Sequence, residues 1–315
     1  MRIVVGDADT LGTDLDLSHL RALGEVEVYG GTPPSQIATR FSGADVAIIN
    51  KLRMNRETLG DAPTLRLIAV CATGYDNIDL AYCREKGIAV TNVKGYSTDS
   101  VAQLTLAMAL SLATNLRQFC DCVADGSYTA GGVANRLTPV YHELRGKTWG
   151  IVGVGHIGQQ VAAVARAIGC EVIGFSRTPK AGIEQVSLDE LCRRSDVISV
   201  HLPLSAETRG IIGTHEIALM KREAILVNVA RGAVTDEAAL ASAVLEGRLG
   251  GLGVDVYSVE PFPDSHPFYA IRQLPNVCLT PHMAWGAREA RERCLNEVAQ
   301  NIRAFAAGER RNRVD

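Results

Sequence analysis

The sequence lacks a surplus of basic residues and any long hydrophobic run. Its 315 residues include 32 lysines and arginines against 35 aspartates and glutamates, for a formal net charge of -3, and no basic cluster stands out. Because nucleic-acid binding needs a basic patch, this balance argues against a nucleic-acid partner. The longest apolar stretch, residues 101–113, contains Gln103 and is shorter than the roughly 20 residues of a membrane span. We therefore expect neither a nucleic-acid nor a membrane partner.

The chain also lacks the cysteine spacing of a metal site. Six of its eight cysteines are scattered, and Cys120 and Cys122 do not have the two-residue gap of a zinc knuckle. We expect no metal, and thiols that behave as small hydrophobes. Residues 1–7 have the pattern of a first strand rather than of a signal peptide, because acidic residues follow at once. The expected location is the cytoplasm.

What the chain does contain is a regular alternation of short apolar runs and helical segments. The runs predicted to form strands are residues 2–5, 26–29, 46–50, 65–70, 88–91, 148–152, 170–175, 197–200, 224–228, 252–256 and 277–279. This alternation predicts an α/β fold in which helices cover both faces of parallel sheets. Since a chain of 315 residues exceeds one compact core, we expect two doubly wound parallel-sheet domains.

Several connecting segments can also be predicted. Residues 94–100 are polar and turn-prone and precede a long apolar helix at residues 101–116, which marks a domain boundary. Residues 126–132 are predicted to form an irregular loop. The spacing of apolar residues predicts a last helix over residues 287–307, packed on the first domain, and the charged tail at residues 308–315 is expected to be frayed.

The most informative motif is GVGHIG at residues 153–158, between a predicted strand and a small-residue helical segment. A strand, a tight glycine turn and a helix in this order place a dinucleotide pyrophosphate at a helix N-terminus. The glycines permit a positive-φ turn, close approach of the phosphates, and tight contact between helix and strand. The cofactor contacts predicted here are Gly153, Gly155, His156, Ile157 and Gly158.

The segment about 20 residues beyond the glycine motif predicts which nicotinamide cofactor binds. An acidic residue at this distance accepts hydrogen bonds from the ribose hydroxyls of NAD. Here residues 175–180 contain no acid, and Ser176 is followed by Arg177 and Thr178. Arg177 can bind a 2′-phosphate, and no carboxylate repels that group. We therefore predict NADP(H), with NAD(H) as the alternative, because an arginine here can also merely stack on adenine.

Three charged residues, Arg231, Glu260 and His282, lie at or beyond the ends of predicted strands. Open α/β sheets bind their ligands at these ends. A guanidinium can bind a carboxylate through two parallel hydrogen bonds, and an imidazole titrates near neutral pH. A carboxylate bonded to that imidazole would orient it. Each residue alone is typical of an ordinary surface or core position, but together they predict a site for an oxo acid.

These motifs resemble the D-isomer-specific 2-hydroxyacid dehydrogenases over essentially the whole chain. The resemblance is carried by residues 72–79, 153–158, 228–232, 253–256 and 281–285. It implies a Rossmann-type cofactor domain at residues 98–285, inserted in a flavodoxin-like substrate domain made of residues 1–97 and 286–315. It also implies that Arg231 clamps the substrate, that His282 is the acid/base on the C2 oxygen, and that Glu260 pairs with His282.

The same resemblance implies further contacts from both domains. Leu52 and the backbone N–H groups of Thr73 and Gly74 would bind the substrate, and Asp255 would meet the nicotinamide amide. The other cofactor contacts that it implies are Leu202, Pro203, Thr208, Val229 and Ala230.

Within the family, residues 50–52, 95–103 and 142–148 are most similar to the glyoxylate and hydroxypyruvate reductase (glycerate dehydrogenase) branch. This likeness implies reduction of a small 2-oxo acid to the D-2-hydroxy acid by a homodimer, with residues 101–141 at the subunit contact. Two alternatives stay open. One is the same reaction with another R group, as in D-lactate or phenyllactate dehydrogenases. The other is a nicotinamide-sensing binding protein similar to the C-terminal-binding transcriptional corepressors.

Overall fold

The structure is a computed structural model that describes residues 1–60 and 64–315. The described residues form two compact units, one made of Met1–Ser97 and Gly286–Asp315 and the other of Thr98–Trp285. The first unit contains a five-stranded sheet and the second a seven-stranded sheet. The predicted α/β fold with two doubly wound parallel sheets is therefore confirmed.

The sheet of the first unit has a flavodoxin-like order. Its strands are β1 (Arg2–Val5), β2 (Glu25–Val28), β3 (Val46–Ile49), β4 (Leu67–Val70) and β5 (Ala89–Thr91). They pair in parallel in the order β2-β1-β3-β4-β5. Every residue of β3 and β4 is buried, as is typical of central parallel strands with helices on both faces.

The sheet of the second unit is of the Rossmann type. Its strands are β6 (Thr148–Val152), β7 (Glu171–Phe175), β8 (Glu184–Gln185), β9 (Val197–Val200), β10 (Ile225–Asn228), β11 (Gly251–Val254) and β12 (Val277–Leu279). They are parallel in the order β12-β11-β10-β9-β6-β7-β8, so the strand order reverses between β6 and β9. Dinucleotides bind at the carboxyl ends of the strands at such a switch point.

Helices connect the strands in both units. They are α1 (Ile37–Phe41), α2 (Arg56–Leu59), α3 (Leu80–Lys86), α4 (Thr98–Ala113), α5 (Leu116–Ala124), α6 (Ser127–Ala130), α7 (His156–Ala167), α8 (Leu188–Arg194), α9 (Thr214–Leu219), α10 (Glu237–Leu245), α11 (Pro267–Ile271) and α12 (Arg288–Ala306). Short 3-10 helices lie at Ala8–Leu11, Ser18–Leu23, Pro34–Gln36 and Gly232–Val234. Between residues 126 and 132 the structure forms α6 rather than the predicted irregular loop.

The C-terminal segment belongs to the first unit, and its last residues are ordered. Arg313 forms an antiparallel bridge with Thr91, and the N–H of Val314 donates to the carbonyl of Val90 at 3.0 Å. The N–H of Val90 in turn donates to a carboxylate oxygen of Asp315 at 2.9 Å. The expectation of a frayed tail was wrong, because the tail satisfies backbone groups at the edge of β5.

No helix of residues 1–60 and 64–315 combines the length and the hydropathy needed to cross a bilayer. All eight cysteines are free thiols, and only Cys120 among them is exposed.

Candidate active site

The glycine turn at residues 153–158 joins β6 to α7, at the point where the strand order reverses. Gly153 has φ +100°, and a Cβ there would lie 2.8 Å from the carbonyl carbon of His201. A Cβ on Gly158 would lie 2.4 Å from the carbonyl oxygen of Gly153. The first glycine is therefore needed for the turn, and the third for the close contact between helix and strand.

Gly155 differs from the other two glycines of the turn, because a Cβ there would meet no atom of residues 1–60 and 64–315 within 4 Å. Gly155 is exposed and is the N-cap of the twelve-residue helix α7. His156 is also exposed and Ile157 is half-buried. Open space in front of helical N–H groups fits a bound phosphate group, so these residues fit the pyrophosphate of a dinucleotide.

The segment after β7 carries the residues predicted to decide between NAD and NADP. Ser176 is half-buried, and its hydroxyl donates to the carbonyl oxygen of Thr178 at 2.8 Å. Gln185 of β8 donates to the carbonyl oxygen of Ser176 at 2.9 Å, which fixes the start of the segment. Arg177 and Thr178 are exposed. The charge of Arg177 also contributes to lowering the pKa of Glu207, which is lowered mainly by a hydrogen bond from Ser205.

The loop after β9 is closed by Thr208. The hydroxyl of Thr208 donates to the carbonyl oxygen of Pro203 at 2.6 Å and accepts from the N–H of Ser205 at 2.8 Å. Leu202 is half-buried and Pro203 is exposed. Thr208 thus shapes this loop, which begins beside Gly153.

The turn that carries Arg231 is organised by the buried amide of Asn228, the last residue of β10. The Asn228 side chain accepts from the N–H of Ala230 at 3.0 Å and donates to the carbonyl oxygen of Arg231 at 3.0 Å. Val229 and Ala230 are buried, and the Arg231 guanidinium donates to the Ala230 carbonyl at 2.8 Å. The sequence motif therefore sets the backbone of Arg231 through Asn228.

Gly232, which follows Arg231, allows two loops to meet. A Cβ on Gly232 would lie 2.1 Å from the carbonyl carbon of Tyr257 and 2.2 Å from the nitrogen of Ser258. Only glycine can accept such a backbone approach without a shift. The loop that follows β11 and leads to Glu260 is thus packed against the Arg231 turn.

His282 and Glu260 are brought together by loops that follow the neighbouring strands β12 and β11. Nδ1 of His282 lies 2.6 Å from Oε2 of Glu260, and both side chains are partly buried, with 21% and 31% exposed. The other carboxylate oxygen of Glu260 accepts from the N–H of Tyr257 at 2.9 Å. Glu260 is therefore held by its own loop through one carboxylate oxygen while the other lies against Nδ1 of the imidazole.

The backbone of His282 is in the left-handed region, with φ +52°. This conformation is uncommon for a residue other than glycine and occurs often at functional sites. Its carbonyl oxygen accepts from Nε1 of Trp285 at 2.9 Å, and its N–H donates to Thr280 at 3.0 Å. No sequence motif indicates this conformation, because it depends on contacts around the loop.

Asp255 is fully buried and anchors the loop that contains His282. Its carboxylate accepts from the Thr280 hydroxyl at 2.5 Å and from the N–H groups of Met283 and Ala284 at 2.8 Å each. Burial raises the pKa of Asp255, and these hydrogen bonds partly offset that effect. The structure thus gives Asp255 a local anchoring role, and its contact with the nicotinamide amide stays a prediction.

Two residues outside the predicted set form a second histidine–carboxylate pair, which contacts the loop that carries Glu260. His266 is buried and Glu237 is half-buried, with Oε2 of Glu237 3.0 Å from Nε2 of His266. No sequence pattern pairs Glu237 with His266, because the two residues are far apart in the chain and belong to no recognisable motif. Only the packing of α10 against α11 brings them together.

The predicted substrate residues of the first unit lie on loops with well-defined hydrogen bonds. The N–H of Leu52 donates to Asp7 at 3.2 Å, and its carbonyl accepts from Asn77 at 2.7 Å. The Thr73 hydroxyl donates to the Val93 carbonyl at 2.7 Å. Thr73 is exposed and Gly74 is half-buried. Their roles toward a substrate stay predictions.

Three possible metal ligands, Asp189, His215 and Glu216, lie together among the described residues. His215 contacts Asp189 at 3.2 Å, and Glu216 accepts from the N–H of Gly213 at 2.9 Å. His215 is exposed, and both carboxylates already have protein partners. This arrangement is typical of a solvated surface pair.

Comparison with known proteins identifies the family. The model described as D-isomer specific 2-hydroxyacid dehydrogenase, NAD binding domain, matches residues 106–284, which include the glycine turn, Arg231, Glu260 and His282. A glycerate dehydrogenase of Methylorubrum extorquens is 36% identical over 292 residues, which cover 92% of each chain. A glyoxylate reductase of Thermococcus litoralis is 41% identical over 264 residues, which cover 82% of this chain and 78% of that protein.

A solved structure is also similar over its full length. An acyclic imino acid reductase in complex with NADPH and D-Arg superposes with a TM-score of 0.88 at 31% identity, and the match covers 100% of both chains.

Proposed function

The chain belongs to the D-isomer specific 2-hydroxyacid dehydrogenase family, and on this premise we propose that it reduces a small 2-oxo acid of the glyoxylate or hydroxypyruvate type to the D-2-hydroxy acid with NADPH. Its NAD-binding domain and its enzyme class follow from the family. The substrate and the roles of individual residues are our proposal. It is supported by the names of the relatives, glycerate dehydrogenase and glyoxylate reductase.

The observation that carries the proposal is the 2.6 Å contact between Nδ1 of His282 and Oε2 of Glu260. A carboxylate at Nδ1 stabilises the protonated imidazole and fixes its orientation. His282 in that form donates the Nε2 proton to the C2 oxygen of the substrate. When bound, the nicotinamide supplies the hydride that the substrate carbon receives.

Arg231 is proposed to bind the substrate carboxylate and oxo group. It follows β10, while Glu260 and His282 follow the neighbouring strands β11 and β12, so all three lie at the carboxyl edge of one parallel sheet. A guanidinium can contact two oxygens at once and so fixes the substrate in one orientation. Leu52, Thr73 and Gly74 are proposed as further substrate contacts, the last two through their backbone N–H groups.

NADPH is proposed as the preferred cofactor because the segment after β7 combines a neutral Ser176 with an exposed Arg177. Nothing acidic between residues 175 and 180 repels a 2′-phosphate, and a guanidinium binds that group through charge-assisted hydrogen bonds. The nearby Glu207 carries a charge of the opposite sign, which would lessen the preference.

The proposal is tested by steady-state assays of the purified enzyme with glyoxylate, hydroxypyruvate, pyruvate and phenylpyruvate, each with NADPH and with NADH. We expect the highest kcat/KM for glyoxylate or hydroxypyruvate with NADPH, and D-glycerate as the product of hydroxypyruvate by chiral chromatography, since the glycolate formed from glyoxylate is achiral. A higher value for phenylpyruvate would indicate a larger pocket and another R group. Cofactor binding without oxidation by any acid would favour the sensing protein instead.

An imino acid is the second candidate substrate, because the imino acid reductase matches this chain over its full length. The same proton donor and guanidinium would serve an imine as well as a ketone. Repeating the panel with ammonia and with methylamine present separates the two. Formation of amino acid rather than hydroxy acid would contradict the proposed reaction.

We also propose that the protein is a homodimer joined through the predicted contact at residues 101–141, within which residues 116–141 carry most of the exposed large apolar side chains. Large apolar side chains in this segment are exposed, among them Leu116, Val123, Val133, Leu137 and Val140. A protein interface covers exposed apolar side chains of this kind. Covering them with a second copy of the chain would remove this surface from water.

A further inference from the structure

A second histidine–carboxylate pair is formed by Glu237 and His266. It contacts the loop that carries Glu260 of the proposed catalytic pair. We propose that these two are positioning residues: they fix the loop of residues 257–260 and thereby direct Glu260 toward His282. The inference rests on the proposed function, since it assigns Glu237 and His266 to the same reaction.

Glu237 is the first residue of α10, and its carboxylate makes three contacts, two with Ser258 of the Glu260 loop and one with His266. Oε1 accepts from the N–H of Ser258 at 2.8 Å, and Oε2 accepts from the Ser258 hydroxyl and lies 3.0 Å from Nε2 of His266. Only 10% of the Glu237 side chain is exposed. A buried carboxylate with three donors has a fixed position, because the loss of any donor would leave a desolvated charge less well satisfied.

The protonation of His266 follows from its neighbours. Its Nδ1 accepts from the N–H of Phe268 at 3.2 Å, so this nitrogen carries a lone pair and the ring proton is on Nε2, directed at Glu237. The ring is 5% exposed, and it packs against Tyr257, Phe262 and Phe268 with ring centroids 5.0 to 6.1 Å away. His266 therefore has one tautomer and one orientation.

Ser258 lies two residues before Glu260 in the same loop, so the hydrogen bonds that hold Ser258 also restrict the backbone of Glu260. Glu260 accepts from the N–H of Tyr257 at 2.9 Å, so its carboxylate orientation depends on the backbone that Glu237 holds. The Tyr257 hydroxyl donates to the carbonyl of Thr280 at 2.9 Å, which ties the same loop to the one that bears His282. From the other side, the close approach of Gly232 leaves the loop little room to shift.

Loss of the Glu237 carboxylate should therefore alter catalysis through Glu260 while leaving the cofactor-binding residues in place. For Glu237→Gln we expect a roughly tenfold lower kcat, as is typical when an orienting hydrogen bond behind a functional histidine is removed. We also expect the alkaline limb of the kcat/KM profile for reduction to move to lower pH, because a less well-placed Glu260 stabilises the protonated imidazole less. The Kd of NADPH, from fluorescence titration, should stay within about twofold.

Three variants test the individual contacts. His266→Phe keeps an aromatic ring but removes the N–H donor and should lower kcat, whereas His266→Gln keeps a donor and should retain most activity. Ser258→Ala keeps the backbone N–H and should cause a smaller loss of kcat in the same direction. If Glu237→Gln does not fold, Ser258→Ala still tests the contact between Glu237 and the Glu260 loop. Glu216→Gln is the matched control, because its carboxylate also accepts a backbone N–H, from Gly213, in the same unit.

A readout independent of turnover is the low-field proton NMR signal of His282 Nδ1–H, assigned by its loss in His282→Asn. A short bond to Glu260 shifts this signal downfield, and we expect it to move upfield or broaden in Glu237→Gln but not in Glu216→Gln. If Glu237→Gln lowers only the thermal midpoint, with kcat, the pH profile and the signal unchanged, the residue is merely structural and the inference is overturned. A wild-type protein inactive toward every 2-oxo acid would refute the proposed function, while the NMR comparison would still decide whether Glu237 positions Glu260.

Discussion

At the scale of single residues, His282 combines a demanding conformation with the proposed proton transfer. Because its φ of +52° is strained for most side chains, asparagine, which tolerates this region, is the best replacement. We expect His282→Asn to lower kcat by about 10³-fold, since general acid catalysis contributes about 10²- to 10⁴-fold. Turnover with NADPH measures the effect, and an unchanged thermal midpoint shows that the fold is retained. A variant with more than a tenth of wild-type kcat would exclude His282 as the proton donor.

Ser176 provides a residue-scale test of cofactor choice. An aspartate at this position would accept hydrogen bonds from the ribose hydroxyls of NADH and would repel the 2′-phosphate of NADPH. Because hydrogen bonds to charged groups contribute about 1.5 to 3 kcal/mol, we expect Ser176→Asp to change the ratio of the two kcat/KM values by tenfold or more toward NADH. Arg177→Ala should lower kcat/KM for NADPH more than kcat/KM for NADH. Equal losses for both cofactors would show that Arg177 only stacks on adenine.

His201 allows a prediction about pH and stability. Nε1 of Trp149 and Nε2 of His201 both lie 3.0 Å from the Ser199 hydroxyl. The Ser199 hydroxyl accepts from the indole N–H of Trp149, and Nδ1 of His201 has no hydrogen-bond partner among the described residues. Burial lowers the pKa of His201 to about 3. The folded protein therefore keeps this imidazole neutral.

The sign of the effect follows from the direction of the pKa shift. Between the ordinary value of 6.5 and about 3, the unfolded chain binds a proton that the folded chain does not, so stability falls as the pH is lowered through this window. We expect His201→Gln to make the free energy of unfolding less steeply dependent on pH between these values in urea titrations. His142→Gln, at an exposed histidine, is the control and should leave the slope unchanged. If the free energy of unfolding depended on pH with the same slope in His201→Gln and in His142→Gln, the prediction would be contradicted.

At the level of secondary-structure elements, two glycines of the turn at residues 153–158 have different roles: Gly158 is needed for folding, and Gly155 for binding of the cofactor. A Cβ at Gly158 would lie 2.4 Å from a backbone oxygen, whereas one at Gly155 would meet nothing within 4 Å. We therefore expect Gly158→Ala to lower stability by about 1 to 3 kcal/mol, as overpacking does. Gly155→Ala should leave stability nearly unchanged but weaken NADPH binding, because the methyl group occupies the approach of the phosphates. Thermal unfolding and fluorescence titration measure the two effects, and a stability loss in Gly155→Ala would contradict this division.

The elements also differ in how well they could be predicted. The apolar runs predicted β1, β6, β9 and β12 with the bounds that the structure has, because buried parallel strands are continuous hydrophobic runs. The two-residue strand β8 was missed, since it is polar and exposed and pairs only with the edge strand β7. The tail was wrongly expected to be frayed. Its order comes from hydrogen bonds to β5, more than 200 residues away in sequence.

At the scale of the whole molecule, the exposed apolar side chains of residues 116–141 predict a dimer. The side chains of Leu137 and Val140 are 76% and 68% exposed. We expect the wild type to have the mass of a dimer in light scattering coupled to size-exclusion chromatography, and Leu137→Glu combined with Val140→Glu to shift it toward the monomer, because buried unpaired carboxylates are costly. Val28→Glu, at an exposed valine of the first unit, is the control. A monomeric wild type would contradict the proposed contact.

The repeating α/β units, the place of the dinucleotide turn and the residue types available for an oxo acid could all be predicted from the amino-acid sequence alone. These features depend on neighbours in the chain: short apolar runs, a glycine spacing, and charged residues just after strands. The pairing of His282 with Glu260 was expected from the family resemblance, but the folded chain was needed to show that Nδ1 is the nitrogen involved, that His282 is left-handed, and that Glu237 contacts His266. These contacts join segments far apart in sequence, and their geometry depends on how strands β10, β11 and β12 align, which no local pattern encodes.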